Sequence, residues 1–275
     1  MLLDRWLKRR CAFLWLLACG LVLTLTAKAQ EAPACDELLV AGNSEYPPFL
    51  WRDPAEPDRV IGAVPAVLEE LFAELGIRVQ VRHVGPWSRT LESARTGRID
   101  LVAGAFLTDE RQQYLDYVLP SLAPIPTVVW MPRDEVFDYR RWSDLKGRTG
   151  ATLFGNSFGQ AFDAYAEANL RIEGVRSIEQ AFKMALMGRV DYVLYEALQG
   201  KVKLASKGEL EDFQPSGLFV SVENLYIAFS KRSRCNTPEL REAFADALVR
   251  MRGEGRVQEY IADFTQRYIN NGTKP

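Results

Sequence analysis

The sequence predicts an α/β protein of two similar lobes, each a mixed sheet flanked by helices, with two crossover strands as a hinge. One phrase occurs twice, at 94–102 and again at 185–193. Strand-like runs alternate with helical runs, which is typical of parallel strands covered by helices. No low-complexity linker separates the halves, so the lobes must be joined by short strands, near 124–131 and 219–226.

The repeated phrase indicates the same helix-to-strand joint in each lobe. In each copy a helix ends at a glycine, Gly97 or Gly188, which adopts the left-handed C-cap conformation without strain. A Gly-Arg-apolar-Asp link then enters a run suited to a buried strand. Two copies so far apart do not fit a solenoid.

The first half alternates strands and helices in a regular order. Pro65 suits the first turn of the first helix, and Gly76 suits its end. The predicted elements are strand 38–41, loop 42–48, a hairpin around 53–59, helix 64–75, strand 77–81, helix 88–96 and strand 100–105.

The second half repeats this rhythm. Ser177 and Gln180 form a candidate capping box for the helix that leads into the second joint. Thr237 and Pro238 open a later helix as N-cap and first helical residue. The predicted elements are turn 144–147, strand 149–153, a helix from about 158, strand 172–175, strand 191–195 and an extended run at 218–230.

Residues 1–29 predict a cleaved signal peptide. Four basic residues precede a short apolar stretch at 11–26, and Ala27-Lys28-Ala29 is a signal-peptidase site of the A-x-A type. The stretch is shorter than the roughly 20 residues of a membrane-spanning helix. A lipoprotein site ending at Cys19 is the alternative, but it would divide the apolar stretch. We therefore expect export to an extracytoplasmic space.

Removing this segment leaves 29 basic and 35 acidic residues, a net charge of −6. Such a domain disfavours nucleic acid or an anionic membrane as a partner. The two remaining cysteines, Cys35 and Cys235, predict a disulfide in an exported protein, with two free buried thiols as the alternative. The bond would bring both chain ends into one lobe. We predict lobe I at 36–124 plus 222–268 and lobe II at 125–221.

Two charged side chains follow the strands that leave the repeated joints. Ligands of open α/β sheets bind beyond the carboxyl ends of strands. Thr108 is a natural N-cap, so Arg111 lies in a first helical turn, where a cation is poorly placed for the helix dipole. Arg111 would grip a ligand carboxylate, and Glu196 would bind a ligand ammonium. The alternatives are a surface arginine and a solvated or internally paired glutamate. Together the two charges complement a zwitterion such as an amino acid.

Aromatic and small polar residues occur in the same predicted loops. Tyr46, Trp87 and Phe106 would either stack around a ligand or pack in the core. The segment 155–157 precedes a helix, so its backbone N–H groups and the Ser157 hydroxyl would hold an anionic group or simply cap the helix.

Other chemistries are disfavoured. Residues 155–159 match the G-x-S-x-G elbow of serine hydrolases, but the single histidine, His83, precedes the serine, whereas the base of that fold follows it. One histidine and two cysteines expected to be bonded cannot form a zinc tetrad. We expect a monomer with no catalytic residue, no metal and no cofactor.

Taken in order, these segments resemble the bacterial extracellular solute-binding proteins of family 3, which include amino-acid-binding proteins of ABC importers. The resemblance covers about residues 36–268, and it rests on the order and spacing of several motifs rather than on one. The motifs are 46–49, Gly62 with its helix, 87–100, 108–111, 116–117, 145–147, 155–157, 188–196 and the closing helices.

The resemblance implies a type II periplasmic-binding-protein fold, whose two lobes close on a ligand about a hinge. By position, Arg111 would hold the α-carboxylate with help from Ser157, and Thr108 belongs to the same segment. Glu196 would receive the α-ammonium, although aspartate is commoner there. Tyr46 and Trp87 would form the side-chain platform.

One residue departs from the family pattern. Phe106 occupies a position where the family usually has Ser or Thr donating to the carboxylate. The ligand is then expected to be a modified or aromatic amino acid, or another small acid.

Three functions follow from the resemblance. The first is a periplasmic binding protein for an amino acid or related small polar solute, serving an ABC permease. The second is a ligand-sensing module that regulates a membrane receptor. The third is an enzyme similar to cyclohexadienyl dehydratases, in which Glu196 would act as a general acid.

Overall fold

The computed structural model describes residues 35–272, so the signal-peptide prediction at 1–29 lies outside the described residues. The strands are β1 (Glu37–Ala41), β2 (Glu45–Tyr46), β3 (Leu50–Arg52), β4 (Val60–Ile61), β5 (Arg78–Val81), β6 (Leu101–Phe106), β7 (Leu115–Tyr117), β8 (Ala123–Pro132), β9 (Thr149–Leu153), β10 (Arg171–Val175), β11 (Tyr192–Glu196), β12 (Phe213–Pro215) and β13 (Ser221–Ser230). The helices are α1 (Ala63–Glu74), α2 (Trp87–Arg95), α3 (Asp109–Gln112), α4 (Gln160–Asn169), α5 (Ile178–Leu186), α6 (Ala197–Lys207), α7 (Pro238–Gly253) and α8 (Arg256–Gly272).

One mixed sheet carries the fold. Its strand order is β10-β9-β11-β8-β13-β6-β1-β5, and β12 and β7 add to β8 and β13. The three strands at each end are parallel to one another, and β8 and β13 run antiparallel between them. The predicted fold class, in which each half is a mixed sheet flanked by helices, is confirmed.

The two long strands are the predicted crossovers. β8 and β13 pair with each other over 123–127 and 221–225. Beyond that stretch they separate, because β8 continues beside β11 and β13 continues beside β6. Each long strand therefore belongs to both halves of the sheet.

The repeated phrase forms the same joint twice. Gly97 and Gly188 end α2 and α5 with φ angles of 74° and 66°, in the left-handed region that glycine tolerates. The N–H of the following arginine, Arg98 or Arg189, donates back to a carbonyl of the helix at 2.8 and 2.9 Å respectively. These bonds satisfy helix-end carbonyls and turn the chain toward its strand.

The aspartate of each joint holds the neighbouring parallel strand. Asp100 accepts from the Leu39 N–H at 2.9 Å, and Asp191 accepts from the Thr149 N–H at 2.6 Å. In return, the backbone N–H of Asp100 donates to the Leu39 carbonyl, and that of Asp191 donates to the Thr149 carbonyl. The joints thus align β6 with β1 and β11 with β9, which brings the far ends of β6 and β11 to the cleft described below.

Aromatic contacts attach the outer helices. Phe72 of α1 stacks on Phe244 of α7 with ring centroids 4.7 Å apart. Trp51 of β3 contacts Phe264 and Tyr268 of α8, and α8 also packs against α1 and α6. Within residues 35–272, no helix combines the length and apolar character needed to cross a bilayer.

The predicted disulfide is confirmed. Cys35 and Cys235 are bonded, with Cα atoms 5.3 Å apart and a sequence separation of 200. The bond joins the segment before β1 to the segment before α7.

Removing this bond is expected to lower the free energy of unfolding. Replacing both cysteines by serine (Cys35→Ser with Cys235→Ser) frees a very long loop in the unfolded chain, which corresponds to a loss of about 2–5 kcal/mol. Urea denaturation of both proteins, with and without reductant, measures the difference. Reductant should destabilise the wild-type protein and leave the double variant unchanged; equal midpoints for the two oxidised proteins would contradict the prediction.

Candidate ligand-binding site

A cleft of about 300 Å³ lies at the carboxyl ends of β6 and β11. Both halves of the sheet contribute to its walls. The first half and the crossover strand β13 supply Asn43, Tyr46, Trp87, Gly104, Ala105, Phe106, Arg111 and Leu225, and the second half supplies Asn156 and Glu196.

Arg111 is held in the first turn of α3. The Thr108 hydroxyl accepts from the Arg111 backbone N–H at 3.2 Å and so caps the helix. The side chain is only 6% exposed, so the alternative of a surface arginine is wrong. Its Nη1 donates to the Phe106 carbonyl at 3.1 Å and its Nη2 to the Gly155 carbonyl at 3.4 Å. The guanidinium also lies 5.5 Å from the centroid of the Trp87 ring.

The positive charge of Arg111 has no counter-ion among the residues that the structure describes. Among residues 35–272, its hydrogen-bond acceptors are neutral carbonyls, and it forms no ion pair. A buried cation without an ionic partner is costly. A carboxylate entering the cleft would supply that partner through two parallel hydrogen bonds.

Glu196, the last residue of β11, is 1% exposed and lines the same cleft. Its Oε1 accepts from Asn156 Nδ2 at 3.4 Å, whereas Oε2 has no hydrogen-bond partner in the described part of the chain. The alternative of a solvated glutamate is therefore wrong, and the internal pairing of Glu196 is limited to the hydrogen bond from Asn156. Burial raises the pKa of Glu196 from 4.5 to about 7. A ligand ammonium would satisfy the free oxygen and favour the ionised carboxylate.

The Tyr46 hydroxyl lies close to this carboxylate. It offsets part of the rise in the pKa of Glu196, although it is outside strict hydrogen-bond geometry. The pKa of Tyr46 itself is raised well above its usual value, first by burial and then by the charge of Glu196. Tyr46 is therefore a neutral phenol in the wall of the cleft.

The three predicted aromatic residues are buried, and each also lines the cleft. Trp87 begins α2, and Phe106 ends β6. The Phe106 carbonyl accepts both from Arg111 and from the Tyr117 hydroxyl, the latter at 2.9 Å. The residue that departs from the family pattern therefore orients the arginine through its backbone and adds an apolar side chain to the cleft.

Two predicted site residues are engaged elsewhere. Thr108 caps α3, as described above. The Ser157 hydroxyl is bonded to the Asp163 carboxylate and accepts from the Gly159 N–H at 3.3 Å, so it supports the start of α4. Neither residue lines the cleft.

Several residues of the cleft were missed by sequence reasoning. Asn156 lies beside the predicted Ser157, and Asn43 lies in the loop predicted after the first strand. The sequence therefore predicted the segments that form the cleft, but not which of their side chains line it. Leu225 comes from β13, more than 100 residues after β6 in sequence, and no local pattern connects it to the site. In the part of the chain that the structure describes, no cluster of three His, Cys, Asp or Glu side chains could hold a metal ion.

Comparison with known proteins shows the fold and the family. L-cystine-binding protein TcyA of Bacillus subtilis (strain 168) is 25% identical over 161 residues, so the match spans 58% of this chain and 58% of that relative. Amino acid ABC transporter substrate-binding protein AbpA from Streptococcus pneumoniae, solved bound to L-arginine, shares the fold with a TM-score of 0.71 at 19% identity, over 85% of this chain and 96% of that chain.

A mutant of ArgBP from T. maritima shares the same fold, with a TM-score of 0.70 at 20% identity, over 84% of this chain and 96% of that chain. The family model for bacterial extracellular solute-binding proteins, family 3, matches residues 38–267. That match spans most of the sequence and includes both halves of the sheet. The chain therefore belongs to the bacterial extracellular solute-binding proteins of family 3.

Proposed function

We propose that this protein captures an amino acid, or a related small zwitterion, in the cleft at the ends of β6 and β11. One observation carries the proposal: a buried Arg111 and a buried Glu196 line the same cleft, and neither forms an ion pair within residues 35–272. The α-carboxylate of an amino acid would form an ion pair with Arg111, and its α-ammonium would form one with Glu196. Tyr46, Trp87 and Phe106 then enclose the apolar part of the ligand.

Capture would proceed by closure of two lobes, 36–124 plus 222–268 and 125–221, about the long strands β8 and β13. Contacts across the cleft support this. Gln160 Nε2 donates to Asp109 Oδ2 at 2.6 Å, and the Asp109 N–H donates to Gln160 Oε1 at 3.3 Å. The bond from Arg111 to the Gly155 carbonyl also crosses the cleft. Such contacts would form on closure and be lost on opening.

The family and the predicted signal peptide support action in the periplasm, after cleavage of residues 1–29. There the closed form would deliver its solute to an ABC permease. A sensory module docking on a membrane receptor would use the same closed form, and neighbouring genes distinguish the two: permease and ATPase genes favour import, a kinase or cyclase gene favours signalling.

An enzyme is the second candidate, and the environment of Glu196 favours it. A carboxyl group with a pKa of about 7 is suited to donate a proton near neutral pH. Incubation with prephenate or arogenate tests this role. We expect no product, because a role in binding a ligand ammonium is sufficient to explain the buried carboxyl group of Glu196.

The proposal is tested by a thermal-shift screen of ligand-free protein against amino acids, amines and small organic acids. A true ligand at 100 times its Kd is expected to raise Tm by about 5 °C or more. Amino acids should do so, whereas the matching amine without a carboxylate and the matching acid without an ammonium should not. A shift from the amine alone or the acid alone would contradict the two-charge site.

A further inference from the structure

A second cavity, of about 510 Å³, adjoins the ligand cleft. We call it the side cavity. It shares the wall residues Asn43 and Trp87 with the cleft. Most of its walls come from the first half of the sheet, while Leu153 and Arg176 come from the second. The side chain of a ligand held in the cleft would have to pass Asn43 and Trp87 to reach the side cavity.

The side cavity is lined by two arginines whose charges are largely free. Among the described residues, the Arg176 guanidinium has no hydrogen bond and no ion pair. Arg52 donates only from Nε, to the Pro57 carbonyl at 3.0 Å, and forms no ion pair within the same residues. Most of the N–H donors of both guanidinium groups remain available to a ligand.

The other titratable groups in the walls offset these charges only in part. Burial raises the pKa of Glu45, against the opposing effects of Lys203 and Arg52, and the ionised carboxylate of Glu45 offsets one of the two positive charges. Burial and the charge of Arg52 lower the pKa of His83, whose Nδ1 lies 2.8 Å from the Ser44 hydroxyl. With Glu45 ionised and His83 neutral, the walls carry one net positive charge.

We propose that the side cavity receives an anionic group on the ligand's side chain, so that the ligand is an amino acid with an acidic side chain. This inference rests on the proposed function, because Arg111 and Glu196 must hold the α-groups. A carboxylate matches the fork of a guanidinium. Bound between Arg52 of one half and Arg176 of the other, the anion also joins the two halves and removes the repulsion between them.

This charge pattern excludes a cationic side chain. The guanidinium of an arginine ligand would meet Arg52 and Arg176 in the side cavity, and like charges brought together at a binding surface are unfavourable. The L-arginine bound by AbpA is therefore not expected to be the ligand of this chain.

Calorimetry with three ligands tests the inference at neutral pH and low salt. L-glutamate and L-glutamine have similar shapes and differ in side-chain charge, and L-arginine reverses that charge. L-glutamate is expected to bind at least about tenfold more tightly than L-glutamine, from charge-assisted hydrogen bonds, and L-arginine most weakly. The preference for L-glutamate should shrink at high salt, because both arginines are exposed.

Two variants and a matched control locate the effect. Arg176→Gln and Arg52→Gln should each weaken the binding of L-glutamate by a larger factor than the binding of L-glutamine, and so reduce the preference for L-glutamate. Arg171→Gln removes another exposed arginine of the second half and should alter neither. An unchanged preference in both cavity variants, or tighter binding of L-glutamine or L-arginine by the wild type, overturns the acidic-ligand inference. Sensitivity of those same ligands to Arg111→Ala would still support the proposed function. Failure of all three ligands to bind overturns the acidic-ligand inference, whereas the proposed function is contradicted only if the thermal-shift screen finds no amino acid or related zwitterion that binds.

Discussion

Arg111→Ala is expected to abolish useful binding of every ligand that carries a carboxylate. The variant removes two charge-assisted hydrogen bonds from a buried site, which corresponds to about a 10²- to 10⁴-fold weaker affinity. Calorimetry with the ligand found in the thermal-shift screen measures the loss. Arg111→Lys should restore only a small part of it, because an ammonium group cannot grip a carboxylate with two parallel N–H groups.

Arg98→Ala is the matched control for this variant. Arg98 is an exposed arginine of the first repeated joint, 13 residues before Arg111. Its backbone N–H forms the joint, so its side chain can be removed without changing that bond. The control should bind ligand as the wild type does. Equal affinities for the wild type and Arg111→Ala would show that the carboxylate binds elsewhere.

The affinity of the wild-type protein is expected to rise with pH through about 7. Burial raises the pKa of Glu196 to about 7, and only the ionised carboxylate pairs with a ligand ammonium. Below that value, affinity should fall by up to about tenfold per pH unit, because binding must first remove a proton. Calorimetry from pH 5.5 to 8 measures the profile and the proton released on binding.

Glu196→Gln removes the titrating group while keeping a similar shape. The variant should bind ligand much more weakly above pH 7 and show a flat profile over the same range. His83 titrates below its usual range because burial lowers its pKa, so it does not account for a midpoint near 7. A midpoint near 7 that persists in Glu196→Gln would assign the titration to another group.

The same residue should make the ligand-free protein less stable as the pH rises. A carboxyl group whose pKa rises from 4.5 to about 7 on folding binds more protons in the folded state between these values. The free energy of unfolding should therefore fall by about 3 kcal/mol from pH 4.5 to 7 on account of this group. Urea denaturation of wild-type and Glu196→Gln protein measures the difference between their pH profiles.

Local signals predicted the elements that position the site. The repeated phrase contains a helix-ending glycine and an aspartate, and both act within a few residues or on the adjacent strand, so the two joints were predictable. Thr108, Ser177 and Thr237 cap the helices, each accepting from the N–H three residues later. The Gln180 side chain does not return a bond to the Ser177 N–H, so the predicted capping box is only half formed. The helix predicted from about 158 begins at Gln160, because Ser157 and Asp163 shape the turn before it.

The rest of the site depends on contacts that no local pattern contains. The burial of Arg111 results from the Gly155 carbonyl and the Trp87 ring, which approach from other segments of the chain. The side cavity joins Arg52 to Arg176, more than 120 residues later, and neither residue belongs to a recognisable motif. The sequence therefore predicted the charged pair Arg111 and Glu196, but not the side cavity beside their cleft.

The strand order has a consequence for the order of assembly. Strands β8 to β12 come from one continuous stretch, 123–215, so that part of the sheet has its partners as soon as those residues are available. β6 cannot pair with β13 until residues 225–229 have been translated. The bond from Cys35 cannot form until Cys235 has been translated as well. The half of the sheet that contains β1, β5 and β6 is therefore translated first but completed last. Arg111 is translated before β13, the strand that supplies Leu225 to its cleft.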